Sequence, residues 1–240
     1  MSKAPDTLVL FDIDGTLVDC GRSSGKCFAA AFQQAFGVPC PIFSPEDVAG
    51  LTDAAILKEV VRRLDRRWGD FDRRRDLAFE IYARNLAVEL KHQPARALPG
   101  AHRAIQAVRS MAGFAVGLLT GSTEATAKIK IESAGIDFGQ FACGAYSEDG
   151  ESRESLPPTA RARFSSLFAR EPKVTILIGD TPRDVQAARA TGCEFVGVTT
   201  GPYHRAALEE AGARVILNDL TETETLCRAI EAASRRPSGI

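Results

Sequence analysis

Apolar and polar residues follow each other along this chain in a pattern that predicts strands alternating with helices. Apolar runs typical of buried strands occupy residues 8–11, 114–119, 174–178 and 194–198, with a shorter one at 215–217. Apolar residues at helical spacing occupy residues 101–111, 123–134 and 184–190. This alternation predicts an α/β fold, a Rossmann-like, doubly wound parallel sheet covered by helices on both faces.

The pattern changes in residues 19–94, where no convincing strand occurs. Helical spacing there predicts helices at residues 24–36, 53–64 and 71–91, separated by turn signals at Gly37 and Gly50. We therefore expect a sheet domain built from residues 1–18 and 95–240, with residues 19–94 inserted as a helical cap domain. The insertion directly follows the first strand, so it should lie above the carboxyl-terminal edge of the sheet.

Composition narrows the class of protein. The chain has 240 residues, 45% of them hydrophobic, and a formal net charge of −1, which favours neither nucleic acid nor a membrane surface. Acids interleave the basic stretch at residues 62–75, as expected for solvated helix faces. The six cysteines are scattered and residues 1–6 do not resemble a signal peptide, which predicts reduced thiols and a cytoplasmic protein. Monomer and homodimer both stay open.

Two carboxylates mark the end of the first predicted strand. Asp12 and Asp14 follow the apolar run, and Gly15 and Thr16 then form a turn. Ligands of parallel α/β sheets bind at this end of the strands. Paired acids there can hold a divalent cation, and an aspartate can also attack phosphorus.

Further polar residues follow two other predicted strands. Thr120 could hold phosphate oxygens with its hydroxyl, and Gly121 and Ser122 could do so with their N–H groups at a helix start. A simple helix cap by Ser122 is the alternative. Asp180 and Asp184 follow the strand at residues 174–178 at a spacing suited to a metal site, although the helix dipole alone would favour Asp184.

This ordered set resembles the haloacid dehalogenase superfamily of phosphatases and phosphotransferases. The resemblance rests on residues 12–17 (DIDGTL), Thr120-Gly121 and residues 179–184 (GDTPRD), and it spans nearly the whole chain. The helical insertion resembles the small α-helical cap of the subgroup that includes phosphoglycolate phosphatase.

The resemblance implies a role for each acid. Asp12 would attack phosphorus, and Asp14 would act as general acid and then as general base. Mg²⁺ would bind Asp12, the backbone carbonyl of Asp14, and Asp180. Asp184 would bind the metal through water or orient a positive residue, and the sequence leaves both open.

The positive residue departs from the family pattern, in which many relatives carry a lysine before a proline. No lysine occurs between Lys130 and Lys173. Arg153, which precedes a Leu-Pro step, is the candidate, because arginine can contact phosphate or carboxylate with two N–H groups. Arg161 and Lys130 are weaker candidates.

Hydrolysis of a small phosphate monoester, of phosphoglycolate or sugar-phosphate type, is therefore the predicted function. The alternatives are a phosphonatase, a phosphomutase, or a weakly active phosphate-binding regulatory protein. Arg22 and Lys26, at the start of the insertion, could pair with an acidic group of the substrate.

Overall fold

A computed structural model describes residues 4–235 of the chain. Residues 1–3, part of the segment judged not to be a signal peptide, lie outside that range. The described part contains a six-stranded sheet in which every neighbouring pair of strands is parallel. In spatial order its strands are β5 (Cys143–Ala145), β4 (Phe114–Leu119), β1 (Thr7–Phe11), β6 (Val174–Gly179), β7 (Glu194–Val198) and β8 (Ile216–Leu217).

Helices connect these strands and cover the two faces of the sheet. They are α5 (Ala101–Ser110), α6 (Glu124–Ser133), α7 (Leu156–Phe168), α8 (Pro182–Ala190), α9 (Arg205–Ala211) and α10 (Thr223–Ser234). The central strand β1 is buried along its whole length. Alternate residues of β1 point into two hydrophobic clusters, with Val9 and Phe11 in one and Leu8 and Leu10 in the other.

The segment between β1 and α5 holds four more helices and a short antiparallel pair of strands. The helices are α1 (Ser23–Phe36), α2 (Pro45–Val48), α3 (Asp53–Arg63) and α4 (Phe71–His92). The strands β2 (Val18–Asp19) and β3 (Arg96–Ala97) pair with each other, so the chain enters and leaves this helical insertion at one point. Phe32 and Leu86 are fully buried between α1 and α4.

The predicted strands and helices are confirmed to within a few residues at their ends, and the doubly wound fold is confirmed. Several elements were not predicted: β5, the β2–β3 pair, α2, α7, α9 and α10. The sequence of β5 is Cys-Gly-Ala, which lacks the β-branched and aromatic residues that strands favour. None of the helices within residues 4–235 is long and apolar enough to cross a membrane.

Candidate active site

The first motif lies where β1 reaches the carboxyl-terminal edge of the sheet. The Asp12 N–H donates to the carbonyl of Ile178 at 2.9 Å, so the chain stays paired one residue beyond the strand. This pairing buries Asp12 almost completely. The side chain of Asp14, two residues later, is 46% exposed. The two acids therefore occupy different environments although only Ile13 separates them.

Parallel pairing of β1 with β6 brings distant acids together. Carboxylate oxygens of Asp12, Asp180 and Asp184 lie within 4.8 Å of one another, and all three residues are buried; we call these residues the acid cluster. The Thr16 hydroxyl donates to Asp180 Oδ1 at 2.9 Å. Gly15 has φ +83°, and any Cβ there would collide with the Asp180 carboxylate, so the turn requires glycine.

Arg153 joins two members of the acid cluster. It lies in a short 3-10 turn, Arg153–Ser155, just before α7, and its side chain is only 3% exposed. Its Nη2 lies 2.7 Å from Asp12 Oδ1 and 2.6 Å from Asp184 Oδ1, and its Nε donates to Asp184 at 2.9 Å. Nη2 also donates to the carbonyl of Leu119 at 3.2 Å.

Both carboxylate oxygens of Asp184 accept hydrogen bonds. Its Oδ1 accepts from Arg153, while its Oδ2 accepts from the Thr181 N–H at 3.1 Å and from the Thr181 hydroxyl at 2.7 Å. The Thr181 hydroxyl also accepts from the Asp184 N–H, which makes a capping box at the start of α8. Of the two roles left open by the sequence, metal binding through water and orientation of a positive residue, these contacts fit the orientation of Arg153.

Burial and mutual repulsion dominate the electrostatics of the acid cluster. Burial raises the pKa of Asp12 from 3.8 to about 7; Arg153 opposes this increase and Asp184 adds to it. Burial also holds the pKa of Asp180 well above its usual value, with further repulsion from Asp12 and Asp184. One guanidinium thus faces three carboxylates. A divalent cation with oxygen ligands would cancel the remaining negative charge, so these residues fit Mg²⁺.

The second predicted loop lies beside the first. Thr120, Gly121 and Ser122 connect β4 to α6, and the Thr120 hydroxyl accepts from the Ser122 N–H at 3.2 Å. The helix cap is Thr123, whose hydroxyl accepts from the Thr126 N–H. The alternative of a cap by Ser122 is therefore wrong: the Ser122 hydroxyl instead donates to Asp14 Oδ2 at 3.3 Å.

Lys130 contacts Asp14, which the sequence did not predict. Its Nζ donates to Asp14 Oδ2 at 2.6 Å and to the Ser122 hydroxyl at 2.8 Å. Burial alone would lower the pKa of Lys130, but chiefly the Asp14 carboxylate raises it well above its usual value. A signal existed in the sequence: Lys130 falls on the buried face of α6 with Ala127 and Ile131, where an apolar residue is expected.

The helical insertion reaches the site through the residues before α3. The Asp53 N–H donates to the carbonyl of Gly121 at 2.7 Å, and the Asp53 carboxylate accepts from the Thr123 N–H at 3.1 Å. The Leu51 carbonyl lies so close to Gly121 that a Cβ on residue 121 would collide with it. Burial raises the pKa of Asp53 to about 7. The sequence pattern did not predict this contact.

The two predicted substrate-binding cations make none of the contacts described above. Lys26 is 66% exposed and pairs with Glu89 of α4 at 3.0 Å, so the structure does not bring it to the acid cluster. Arg22 is exposed at the residue before α1. Of the weaker candidates, Arg161 donates to Thr175 and to the carbonyl of Thr191, so it too is engaged elsewhere.

The chain is similar in sequence to known hydrolases. The profile of the haloacid dehalogenase-like hydrolase family matches residues 7–192. Probable phosphatase IndB of Dickeya dadantii is 25% identical over 238 residues, covering 96% of this chain and 97% of its own. A phosphoglycolate phosphatase of Pseudomonas syringae pv. syringae is 24% identical over 229 residues, covering 94% of this chain and 81% of its own.

Solved structures share the fold. A hydrolase from Pseudomonas syringae has a TM-score of 0.70 at 21% identity and covers 93% of this chain and 98% of its own. A β-phosphoglucomutase from Clostridium difficile has a TM-score of 0.72 at 16% identity and covers 97% of this chain and 100% of its own. At these identities the likeness extends to the fold alone.

Proposed function

Because this chain belongs to the haloacid dehalogenase-like hydrolase family, we propose that it is a Mg²⁺-dependent phosphatase that hydrolyses a small phosphate monoester through an aspartyl-phosphate. One observation carries the proposal: Arg153 pairs with Asp12 and Asp184 at 2.7 and 2.6 Å. This contact fixes the carboxylate of Asp12 beside a buried positive charge, where a phosphate group would also be attracted.

In the first step, an oxygen of Asp12 attacks phosphorus and the bond from phosphorus to the ester oxygen breaks. Asp14 gives its proton to the departing oxygen, which leaves as an alcohol. The half-exposed position of Asp14 suits this role, because the leaving group must be able to reach its carboxyl group.

In the second step, water hydrolyses the aspartyl-phosphate. Asp14, now ionised, takes a proton from the water as the water oxygen attacks phosphorus, and the bond from phosphorus to Asp12 breaks. Inorganic phosphate and free Asp12 result. The hydroxyl of Thr120 and the N–H groups of Gly121 and Ser122 are our candidates to hold phosphate oxygens at the start of α6, in place of the bond that now joins the Ser122 N–H to the Thr120 hydroxyl.

Asp12, the backbone carbonyl of Asp14, and Asp180 would hold Mg²⁺, and Asp184 would orient Arg153. The bound ion would offset the repulsion between carboxylate and phosphate and shield charge in the transition state. Arg153 takes the place of the family's usual lysine in this arrangement. As an arginine it stays charged at any working pH.

We assign residues 19–94 to a cap domain that covers the site, hinged at the β2–β3 pair. Closure of such a domain excludes bulk water from the reaction. The relatives named phosphoglycolate phosphatase support a small anionic substrate. Arg22 is our candidate to pair with an acidic group of the substrate, and Arg22→Ala should then raise KM for acidic substrates only.

The test is release of inorganic phosphate from a panel of phosphate monoesters that includes phosphoglycolate and sugar phosphates. We expect turnover with Mg²⁺, loss of turnover with a chelator, and no turnover by Asp12→Asn. Asp76→Asn, at an exposed position of α4, is the matched control and should be fully active. Turnover by Asp12→Asn at the wild-type rate would contradict the mechanism.

A further inference from the structure

Each acid of the first motif has its own buried cation. Arg153 forms an ion pair with Asp12, and Lys130 forms one with Asp14. Arg153 is our candidate for the positive residue expected in the family. Lys130, in contrast, lies in the middle of α6, outside all the motifs on which the family resemblance rests. Its contacts therefore need an explanation of their own.

The burial of Lys130 is unusual for a lysine. Its side chain is 4% exposed, and lysines are almost never fully buried unless they are paired. Long side chains of a helix lean toward its N-terminus, so Lys130 extends along α6 to reach Ser122 and Asp14. The exposed Lys128, two residues earlier, shows the ordinary alternative: it lies 3.9 Å from Glu132 on the helix surface.

The contacts distinguish the two oxygens of Asp14. Lys130 Nζ and the Ser122 hydroxyl both donate to Oδ2. Oδ1 makes no hydrogen bond to any of residues 4–235. A lysine ammonium can only donate hydrogen bonds. Oδ2 must therefore accept from Lys130 and cannot direct a carboxyl proton toward it. Oδ1 is therefore the oxygen of Asp14 that is left open to a reactant.

We propose that Lys130 is a positioning residue for general acid–base catalysis, which holds Asp14 by Oδ2 so that Oδ1 gives and takes the proton. This inference rests on the proposed phosphatase function. It assigns to Lys130 no contact with phosphate and no proton transfer of its own. Its effect on the reaction passes entirely through Asp14.

The reaction step that needs Asp14 depends on the leaving group. An alkoxide requires a proton as it departs, whereas p-nitrophenolate is stable near neutral pH and departs without one. The constant kcat/KM includes only steps up to departure of the leaving group, so it does not report the later hydrolysis of the aspartyl-phosphate. Comparing kcat/KM for an alkyl phosphate and for p-nitrophenyl phosphate therefore isolates the general acid.

The experiment measures both constants for wild type, Lys130→Met and the matched control Lys128→Met, with saturating Mg²⁺. We expect Lys130→Met to lower kcat/KM for the alkyl phosphate about 10- to 100-fold, part of the effect of a general acid. It should change kcat/KM for p-nitrophenyl phosphate by less than about threefold. Lys128→Met should leave both values unchanged.

A double-mutant cycle tests the route of the effect. In an Asp14→Asn background, Lys130→Met should have no further effect on the alkyl phosphate. Equal losses on the two substrates, or a full effect without Asp14, would overturn the proposal. Should Lys130→Met fail to fold, Lys130→Gln is measured in the same way. Wild type inactive on both substrates would instead overturn the phosphatase function itself.

Discussion

Replacement of Asp12 by asparagine should stabilise the metal-free protein, although it abolishes activity. Asp12 is buried with Asp180 and Asp184, and the guanidinium of Arg153 pairs with two of the three, Asp12 and Asp184. Asparagine has nearly the same shape and no charge. It therefore removes the cost of burying a charge and, with it, the repulsion within the acid cluster, while Arg153 keeps its contact with Asp184.

The magnitude follows from the pKa of Asp12. Burial raises this pKa from 3.8 in the unfolded chain to about 7 in the folded protein, which corresponds to about 4 kcal/mol against the folded, ionised form. Below pH 4, Asp12 is protonated in both states and the cost is absent. As pH rises from about 4 to 7 the unfolded chain releases its proton first, so wild type loses stability over this range.

The assay is thermal or urea unfolding in chelator at pH 5 and pH 8. Asp12→Asn should exceed wild type in stability at pH 8 by up to about 4 kcal/mol and by much less at pH 5. In a chain of this length, 1 kcal/mol corresponds to about 2–4 °C in Tm. Asp76→Asn should show no such pH-dependent difference from wild type, since its side chain is exposed.

Bound metal should make wild type more stable than Asp12→Asn. Saturating Mg²⁺ should stabilise wild type more than Asp12→Asn, because the variant lacks one anionic ligand. The reasoning is refuted if metal-free Asp12→Asn is less stable than wild type at pH 8, or if the difference between them does not depend on pH. Either result would show that the buried, ionised carboxylate of Asp12 does not destabilise the folded protein.

Three further predictions follow from single contacts. Arg153→Ala should lower kcat at least about 100-fold and Arg153→Lys less than about tenfold, because lysine keeps the charge and loses the paired N–H groups; equal kinetics would remove Arg153 from the site. Gly15→Ala should lower both Tm and Mg²⁺ affinity, measured by unfolding and titration, because its Cβ would collide with the acid cluster. Gly21 also has a positive φ, but open space surrounds it, so Gly21→Ala should lower Tm and leave Mg²⁺ affinity unchanged. Lys26→Ala should leave KM within about twofold, since exposed ion pairs contribute little; a large increase would place Lys26 in the substrate site.

The sequence was sufficient to predict the acids and the loop residues that follow the strands. Asp12, Asp180 and Thr120 each come directly after an apolar run, and parallel strands place their carboxyl ends on one edge of the sheet. Arg153 was proposed as the positive residue that the family resemblance implies, because it precedes a Leu-Pro step. The proximity of Asp12, Asp180 and Thr120 follows from topology, so no knowledge of side-chain direction was needed for them.

Only the tertiary structure showed which side chain contacts which. Lys130 lies eight residues after Ser122 within α6, and the turn and tilt of that helix decide that it reaches Asp14. Asp53 and Lys26 both belong to the insertion, yet one contacts the loop before α6 and the other pairs with α4. Such contacts depend on how helices pack against each other. The local sequence pattern of a helix identifies its apolar face. It does not identify which residue a charged side chain on that face contacts, because that depends on the neighbouring elements.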